Sequence, residues 1–256
     1  MNVHSLGLST DLQLLALRGT IVDRGDYLVV TTPDDPGYYF GNLLVLRAAP
    51  QVGEVAYWTR KFAEELGGNG QIHHVTFRWD DISGDVGARA ELEAAGFAIE
   101  LTDVMTAPRD GISRARTGCA IRVLTADEVI ATSDFAWANG DRHDDVYRQF
   151  LDRRALWKGS LVAKGSARFY GAFEGAALVG CLGLVSLGDV SRFQDVEVAE
   201  SYRKRGIASA LLAAAAFDAE AETLVIVAEP GGNAARVYQR AGFRIVEHTA
   251  SACRRP

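Results

Sequence analysis

The stretch from Arg192 to Leu212, RFQDVEVAESYRKRGIASALL, constrains the fold of this 256-residue chain more than any other. Phe193, Val196 and Val198 mark a strand that turns at Ala199-Glu200-Ser201. The chain then enters a helix through Arg203-Lys204-Arg205-Gly206-Ile207-Ala208. A helix N-terminus presents unpaired backbone N–H groups and a partial positive charge, so it attracts phosphate. Gly206 and Ala208 keep the approach free of bulk, while Arg203, Lys204 and Arg205 add positive charge around it. The spacing is neither a Walker A loop, which needs Gly-Lys-Ser/Thr, nor a three-glycine dinucleotide loop. It reads as a cradle for the pyrophosphate of a small ligand.

The remaining composition narrows the ligand further. A formal charge of −6 argues against a general nucleic-acid binder, whose affinity rests on neutralising many phosphates. Cys119, Cys181 and Cys253 are odd in number and scattered, with no C-x-x-C pair. They read as small apolar residues in a reducing compartment, without disulfide or metal. No apolar run reaches the length of a membrane span, and the first residues lack a basic segment leading into a long apolar one. A cytoplasmic location is the expectation, without membrane or nucleic-acid partners.

About thirty residues after the basic loop, Thr223-Leu-Val-Ile-Val-Ala228 reads as a buried strand. Gly231-Gly-Asn-Ala-Ala-Arg-Val-Tyr238-Gln-Arg-Ala-Gly242-Phe243 follows it. Arg203-x-x-Gly206-x-Ala208 resembles the Arg/Gln-x-x-Gly-x-Gly/Ala signature of the GNAT superfamily of acyl-CoA N-acyltransferases. The later segment resembles that family's Asn-x-x-Ala-x-x-x-Tyr-x-x-x-Gly-Phe, in the right order and at the right distance. From Ala120 to about His248 the order reads strand, helix, helix, three strands, helix, strand, helix, strand, as in a GNAT domain. Thr125-Ala-Asp-Glu opens the first of these helices as a capping box.

The resemblance implies an α/β GNAT fold, a mixed and mostly antiparallel sheet flanked by helices. It also implies transfer of an acetyl group from acetyl-CoA to a primary amine, a small molecule or a peptide, by direct attack in a ternary complex. No metal is implied. Arg203, Lys204, Arg205, Gly206, Ile207, Ala208 and Ser209 would hold the pyrophosphate. The main chain of Val196 and Val198 would bind the pantetheine arm as an added strand, where the family's fourth strand parts from its fifth. Tyr238 would serve the departing thiolate, or else be an amphipathic core tyrosine. Asn233 lies five residues before Tyr238, where the family's asparagine lies seven before and this chain has Gly231. It either reaches the pantetheine or caps the helix at Ala234.

A general base is harder to read. Asp195 and Glu197 alternate with Val196 and Val198, which sets them on one face with Phe193 and leaves Gln194 opposite. Glu197, partly desolvated, would accept the amine proton, or it pairs with an arginine such as Arg192. His73, His74 and His143 have no identifiable partners and read as structural or surface groups. Trp137 and Trp157 lie on helices that border the acceptor groove in the family, and read as core or as pocket lining. Other readings of the whole are a longer acyl donor, or a non-catalytic acyl-CoA-binding module.

The first half reads differently. Gly25-Asp26 between Thr20-Ile-Val-Asp and Tyr27-Leu-Val-Val-Thr signals a hairpin, and Val55, Trp58, Phe62 and Leu66 form a helical stripe. Ala95-Gly96-Phe97-Ala98-Ile99 parallels Ala241-Gly242-Phe243-Arg244-Ile245. Such similarity points to a duplicated module, or simply to two glycine-capped helices with apolar anchors. The half has no counterpart of the basic loop. The domains are read as a degenerate GNAT-like one at 1–107, a linker at 108–118 rich in Gly, Pro and polar residues, and a catalytic one at 119–256.

Overall fold

A hydrophobic helix and a tight hairpin begin the chain, and helices and strands alternate from there. In the computed structural model, which describes residues 1–256, these are α1 (Leu6–Ala16), β1 (Thr20–Asp23), β2 (Tyr27–Thr31), β3 (Leu43–Leu46), α2 (Val55–Leu66), β4 (Val75–Trp79), α3 (Arg89–Ala94) and β5 (Ala98–Pro108). There follow β6 (Ala120–Val123), α4 (Ala126–Asn139), α5 (Asp145–Ala163), β7 (Ala167–Glu174), β8 (Ala177–Leu187) and β9 (Val190–Val198). The chain closes with α6 (Ile207–Phe217), β10 (Thr223–Ala228), α7 (Asn233–Ala241) and β11 (Arg244–Arg254). No helix is long and apolar enough to cross a membrane. The chain divides into two compact units: Met1–Val104 with Ile245–Pro256, and Met105–Arg244.

In the first unit the strands lie in the order β1-β2-β3-β4-β11-β5. The β1–β2 and β2–β3 pairs are antiparallel, and β3 runs parallel to β4. Residues 245–256, expected to finish the second domain, lie here. Ser251 to Arg254 pair antiparallel with Arg78 to Val75. Ala250 and Ala252 are buried in the same cluster as Phe77, Trp79 and Phe97. The Glu247 carboxylate accepts the backbone N–H groups of Leu6 and Gly7 and the Ser5 hydroxyl, closing the start of α1. The physical reason is non-local: an alternating strand pairs wherever an open edge and an apolar face await it, and β4 offers both.

In the second unit the order is β10-β9-β8-β7-β6, with the end of β5 beside β10. Met105 and Ala107 from that end join a core with Leu182, Leu184, Phe193, Leu211, Leu212 and Phe243. All neighbours from β6 to β9 are antiparallel, and β9 with β10 is parallel. Thr125 caps α4 through the expected reciprocal bonds with Glu128, and Asp144 caps α5. The segment 108–118, expected as a linker, is anchored: Arg109 N–H donates to Glu222 O at 2.7 Å and Ser113 N–H to Ala241 O at 2.8 Å. The two Ala-Gly-Phe segments form matching helix ends. Gly96 and Gly242 take positive φ, and Phe97 and Phe243 each donate at 3.0 Å to a carbonyl five residues back.

Candidate functional site

Two neighbouring strands part in the second unit, and the candidate site forms around the opening. β10 pairs with β9 only at Val190, Ser191 and Arg192, while β9 continues to Val198. Over residues 193–198, β9 is paired on its β8 side alone. Ala199 N–H donates to Val179 O at 3.0 Å. Because N–H directions alternate along a strand, Val198 and Val196 present theirs to the open side. The Arg203 guanidinium donates to Val198 O at 3.4 Å, and the Gln194 side-chain amide donates to Phe193 O at 2.9 Å, where the strands separate. An open strand edge of this kind accepts an extended ligand as a further strand.

A β-bulge shapes the same segment. Cys181 faces Glu197 and Gly183 faces Gln194, so one residue of β8, Leu182, opposes two of β9, Asp195 and Val196. Asp195 takes φ 50°, a left-handed conformation that costs a non-glycine residue about 1 kcal/mol. The extra residue overturns the expected alternation. Glu197 shares its face with Gln194 and not with Phe193, whereas Val196 and Val198 pack against the core that holds Phe193. Asp195 is bound by α5: its carboxylate accepts from Arg154 at 2.6 Å and from Lys158 at 2.9 Å. Burial works against its charge, yet the two cations hold its pKa below the usual carboxylate range. Glu197 behaves oppositely. Burial raises its pKa and Asp195 adds to the rise, while Lys158 and Arg203 pull against it.

The loop before α6 has the features read from sequence. Lys204 and Gly206 take φ 64° and 75°, which turns the chain sharply into the helix. Gly206 is the N-cap residue without a side-chain cap, and no acidic residue lies in the first turn. The N–H groups of Ile207, Ala208 and Ser209 lie in that turn. A Cβ on Gly206 would sit 3.2 Å from the Arg116 carbonyl, so backbone from 109–118 narrows the space beside the loop. Arg205 stacks on the Tyr202 ring at 4.6 Å and meets Glu174 at 3.6 Å. Arg203 approaches Glu200 at 3.9 Å.

Tyr238 is 6% exposed. Its ring lies 6.3 Å from Phe243, which is edge-on to Phe193 of β9 at 5.8 Å. Tyr238 is thus buried and linked to β9 through the Phe243 ring. Burial pushes its pKa up to about 12, Arg192 opposes this slightly, and no hydrogen bond contributes. Asn233 is the first residue of α7, behind Gly232 as N-cap. It is exposed and accepts from Arg236 at 3.4 Å, so it is not the cap that the sequence offered as one reading.

Other candidates lie elsewhere or do other work. His74 is buried, bonded to Asn42 O at 2.9 Å and held neutral by burial. His73 is exposed. His143 meets the Trp137 ring edge-on at 4.9 Å, and Trp137 stacks on Tyr147 at 6.4 Å. Trp157 is half-buried on α5. Arg154, Lys158 and the Arg116 carbonyl were missed in the sequence, since only the tertiary fold brings α5 and the 109–118 segment to this point. No group of three or more His, Cys, Asp or Glu is placed to hold a metal ion.

Residues 165–245 match the family model described as an acetyltransferase (GNAT) domain. No curated protein matches the chain in sequence. Solved structures share its fold at low identity. A functionally unknown conserved protein from Staphylococcus epidermidis is 15% identical with a TM-score of 0.75, covering 93% of this chain and 94% of that one. A GCN5-related N-acetyltransferase from Kribbella flavida is 16% identical with a TM-score of 0.67, covering 97% and 93%. A tandem GNAT protein from the clavulanic acid biosynthesis pathway is 12% identical with a TM-score of 0.55, covering 97% and 95%. The matched segment and the shared architecture show an α/β GNAT-like fold, with a mixed, largely antiparallel sheet flanked by helices.

Proposed function

We propose that the chain is an N-acetyltransferase that moves the acetyl group of acetyl-CoA to a primary amine, on a small molecule or a peptide, by direct attack in a ternary complex. The observation that carries this reading is the open edge of β9 at residues 193–198 beside an uncapped, cation-flanked helix start. Acetyl-CoA supplies the activated acetyl thioester. Its pyrophosphate fits the N–H groups of Ile207, Ala208 and Ser209, with Arg203, Lys204 and Arg205 around them. Its extended pantetheine arm fits the main chain of Val196 and Val198, and we propose Asn233, exposed at the α7 start, as a further donor-binding residue.

Glu197 is the proposed base. Its raised pKa suits acceptance of a proton from the attacking amine. Tyr238, held protonated by burial, gives a proton or hydrogen bond to the leaving thiolate. The charges acting on the Glu197 carboxylate come from Lys158, Asp195 and Arg203. The catalytic part we propose is the second compact unit, and the first unit, which takes residues 245–256 from the domain read as 119–256, is the degenerate GNAT-like part.

Calorimetric titration with acetyl-CoA tests the donor, alongside the Arg205→Glu/Gly206→Glu double variant. Saturable binding that the double variant abolishes is the expected result. Absence of binding at near-millimolar ligand overturns the acetyltransferase reading.

A further inference from the structure

Asp195 and Glu197 stand two positions apart at the bulge, and α5 treats them as opposites: both cations go to Asp195 and none bonds Glu197. Arg154 and Lys158 contact Asp195 at 2.6 and 2.9 Å from its two separate oxygens. Lys158 is nearly buried, with 12% of its side chain exposed. Its charge is felt at Glu197 and at Cys181, the residue opposite Glu197 on β8. The groups facing Glu197 are thus Asp195 on β9, Cys181 on β8, Lys158 on α5 and Arg203 in the loop before α6. Arg154 acts through Asp195.

We infer that Asp195 is a positioning residue: by engaging both Arg154 and Lys158 at the bulge, it keeps Lys158 from pairing with the Glu197 carboxylate. The geometry supplies the reason. A lysine on a flexible stem pairs with whichever nearby carboxylate offers the better contact, and a paired carboxylate is a weaker base. The bulge at φ 50° turns Asp195 toward α5 and brings Glu197 onto the face of Gln194 and Cys181. A regular strand would set Asp195 and Glu197 side by side and leave Lys158 a choice between them. The strained backbone therefore sorts one carboxylate into a structural clamp and leaves the other unpaired.

The inference rests on the role of Glu197 proposed above, and its test is built to separate the two. Carboxyl NMR of ¹³C-glutamate-labelled protein, with the resonance assigned through Glu197→Gln, reads the Glu197 midpoint without any need for activity. The midpoint is measured in the unaltered chain, in Asp195→Asn, in Lys158→Met and in the double variant. Asp195→Asn is expected to lower the midpoint by about one pH unit, as freed Lys158 pairs with Glu197. Lys158→Met is then expected to raise the midpoint far more in the Asp195→Asn background than in the unaltered chain.

Additive shifts, or no shift on Asp195→Asn, overturn the inference. Where Asp195→Asn fails to fold, Asp195→Gly replaces it, because glycine takes the bulge backbone freely. The acid limb of the kcat/KM profile is recorded on the same variants. A limb that follows the NMR midpoint supports both readings. Coupled midpoints with an unmoved limb leave the clamp standing and remove Glu197 as the base.

Discussion

The helix starts at α6 and α2 begin alike and end as opposites. Each follows a strand that runs parallel to its neighbour, and each is entered through a glycine of positive φ, Gly206 at 75° and Gly53 at 89°. Before α2 the chain fills its own site: Gly53 N–H donates to the Glu91 carboxylate at 2.7 Å and Gln51 N–H to Glu54 at 2.9 Å. Before α6 no acid enters the first turn, and three cations surround it. The strands differ too. β3 ends where its pairing with β4 ends, at Leu46, but β9 runs on to Val198 past its last pair with β10 at Arg192. A helix N-terminus is thus an anion site only where the chain has not already supplied the anion.

Removing residues 245–256 is the harshest way to break the comparison. The first unit would lose the strand between β4 and β5 and the carboxylate that closes α1. Cooperative unfolding of that unit is expected, with loss of its share of the thermal transition in calorimetry. Acetyl-CoA affinity within a few-fold of the full chain would show that the α6 start is self-contained; its loss would show that it is not.

Next in size is the exchange of one glycine for glutamate at each start. Gly206→Glu puts a carboxylate at the proposed pyrophosphate site, and roughly a hundredfold loss of acetyl-CoA affinity by calorimetry is expected. Gly53→Glu, which meets nothing within 4 Å, is expected to leave affinity unchanged. Both strain a positive φ by about 1 kcal/mol, and Gly206→Ala, which keeps that strain and the contact with the Arg116 carbonyl without the charge, serves as the control. Equal losses of affinity would erase the distinction between the two starts.

Tyr238→Phe should lower kcat by about ten- to a hundredfold. Its hydroxyl has no hydrogen bond to lose, so the melting temperature should hold. With its pKa near 12 the phenol keeps its proton across the assay range. The loss should therefore be uniform from about pH 6 to 9, with neither limb of the profile displaced. An unchanged kcat would return Tyr238 to a core role.

Val198→Pro removes an N–H that points away from β8, and about a tenfold weaker grip on acetyl-CoA is expected. An unchanged dissociation constant would deny the open edge its role. Smallest of all, Glu91→Gln should cost the first unit about 0.5–1 kcal/mol in urea titration. It should confer no acetyl-CoA binding, since the loop before α2 has no counterpart of Arg203-Lys204-Arg205.

What could be read from the sequence was local. The basic loop, its glycine and the Thr125 capping box depend on residues within a few positions of one another. Their chemistry fixes their conformation. Tyr238 could be placed beside Gly242-Phe243 for the same reason. The bulge left no comparable mark: aspartate tolerates a left-handed φ better than most residues, yet nothing in RFQDVEV marks Asp195 as the one that takes it. One extra residue then moved Glu197 to the other face. The clamp from Arg154 and Lys158 joins residues about forty positions apart, and no periodicity reports such a pairing. Asn233 was legible only as one of two roles, and a one-residue difference in the helix start removed the capping role.

The strand at residues 245–254 also sets an order of events during synthesis. The ribosome delivers Met1–Val104 first, but β4 has no neighbour on one side until Ser251 to Arg254 emerge. The second unit, contained in Met105–Arg244, has all its strands before then. The part made first is therefore finished last. Until those residues emerge, the nascent first unit exposes an open strand edge, which is the kind of surface that chaperones hold and proteases find. A chain that lacks Ser251 to Arg254 would carry that edge permanently, so quality control can tell it from one in which β4 is paired.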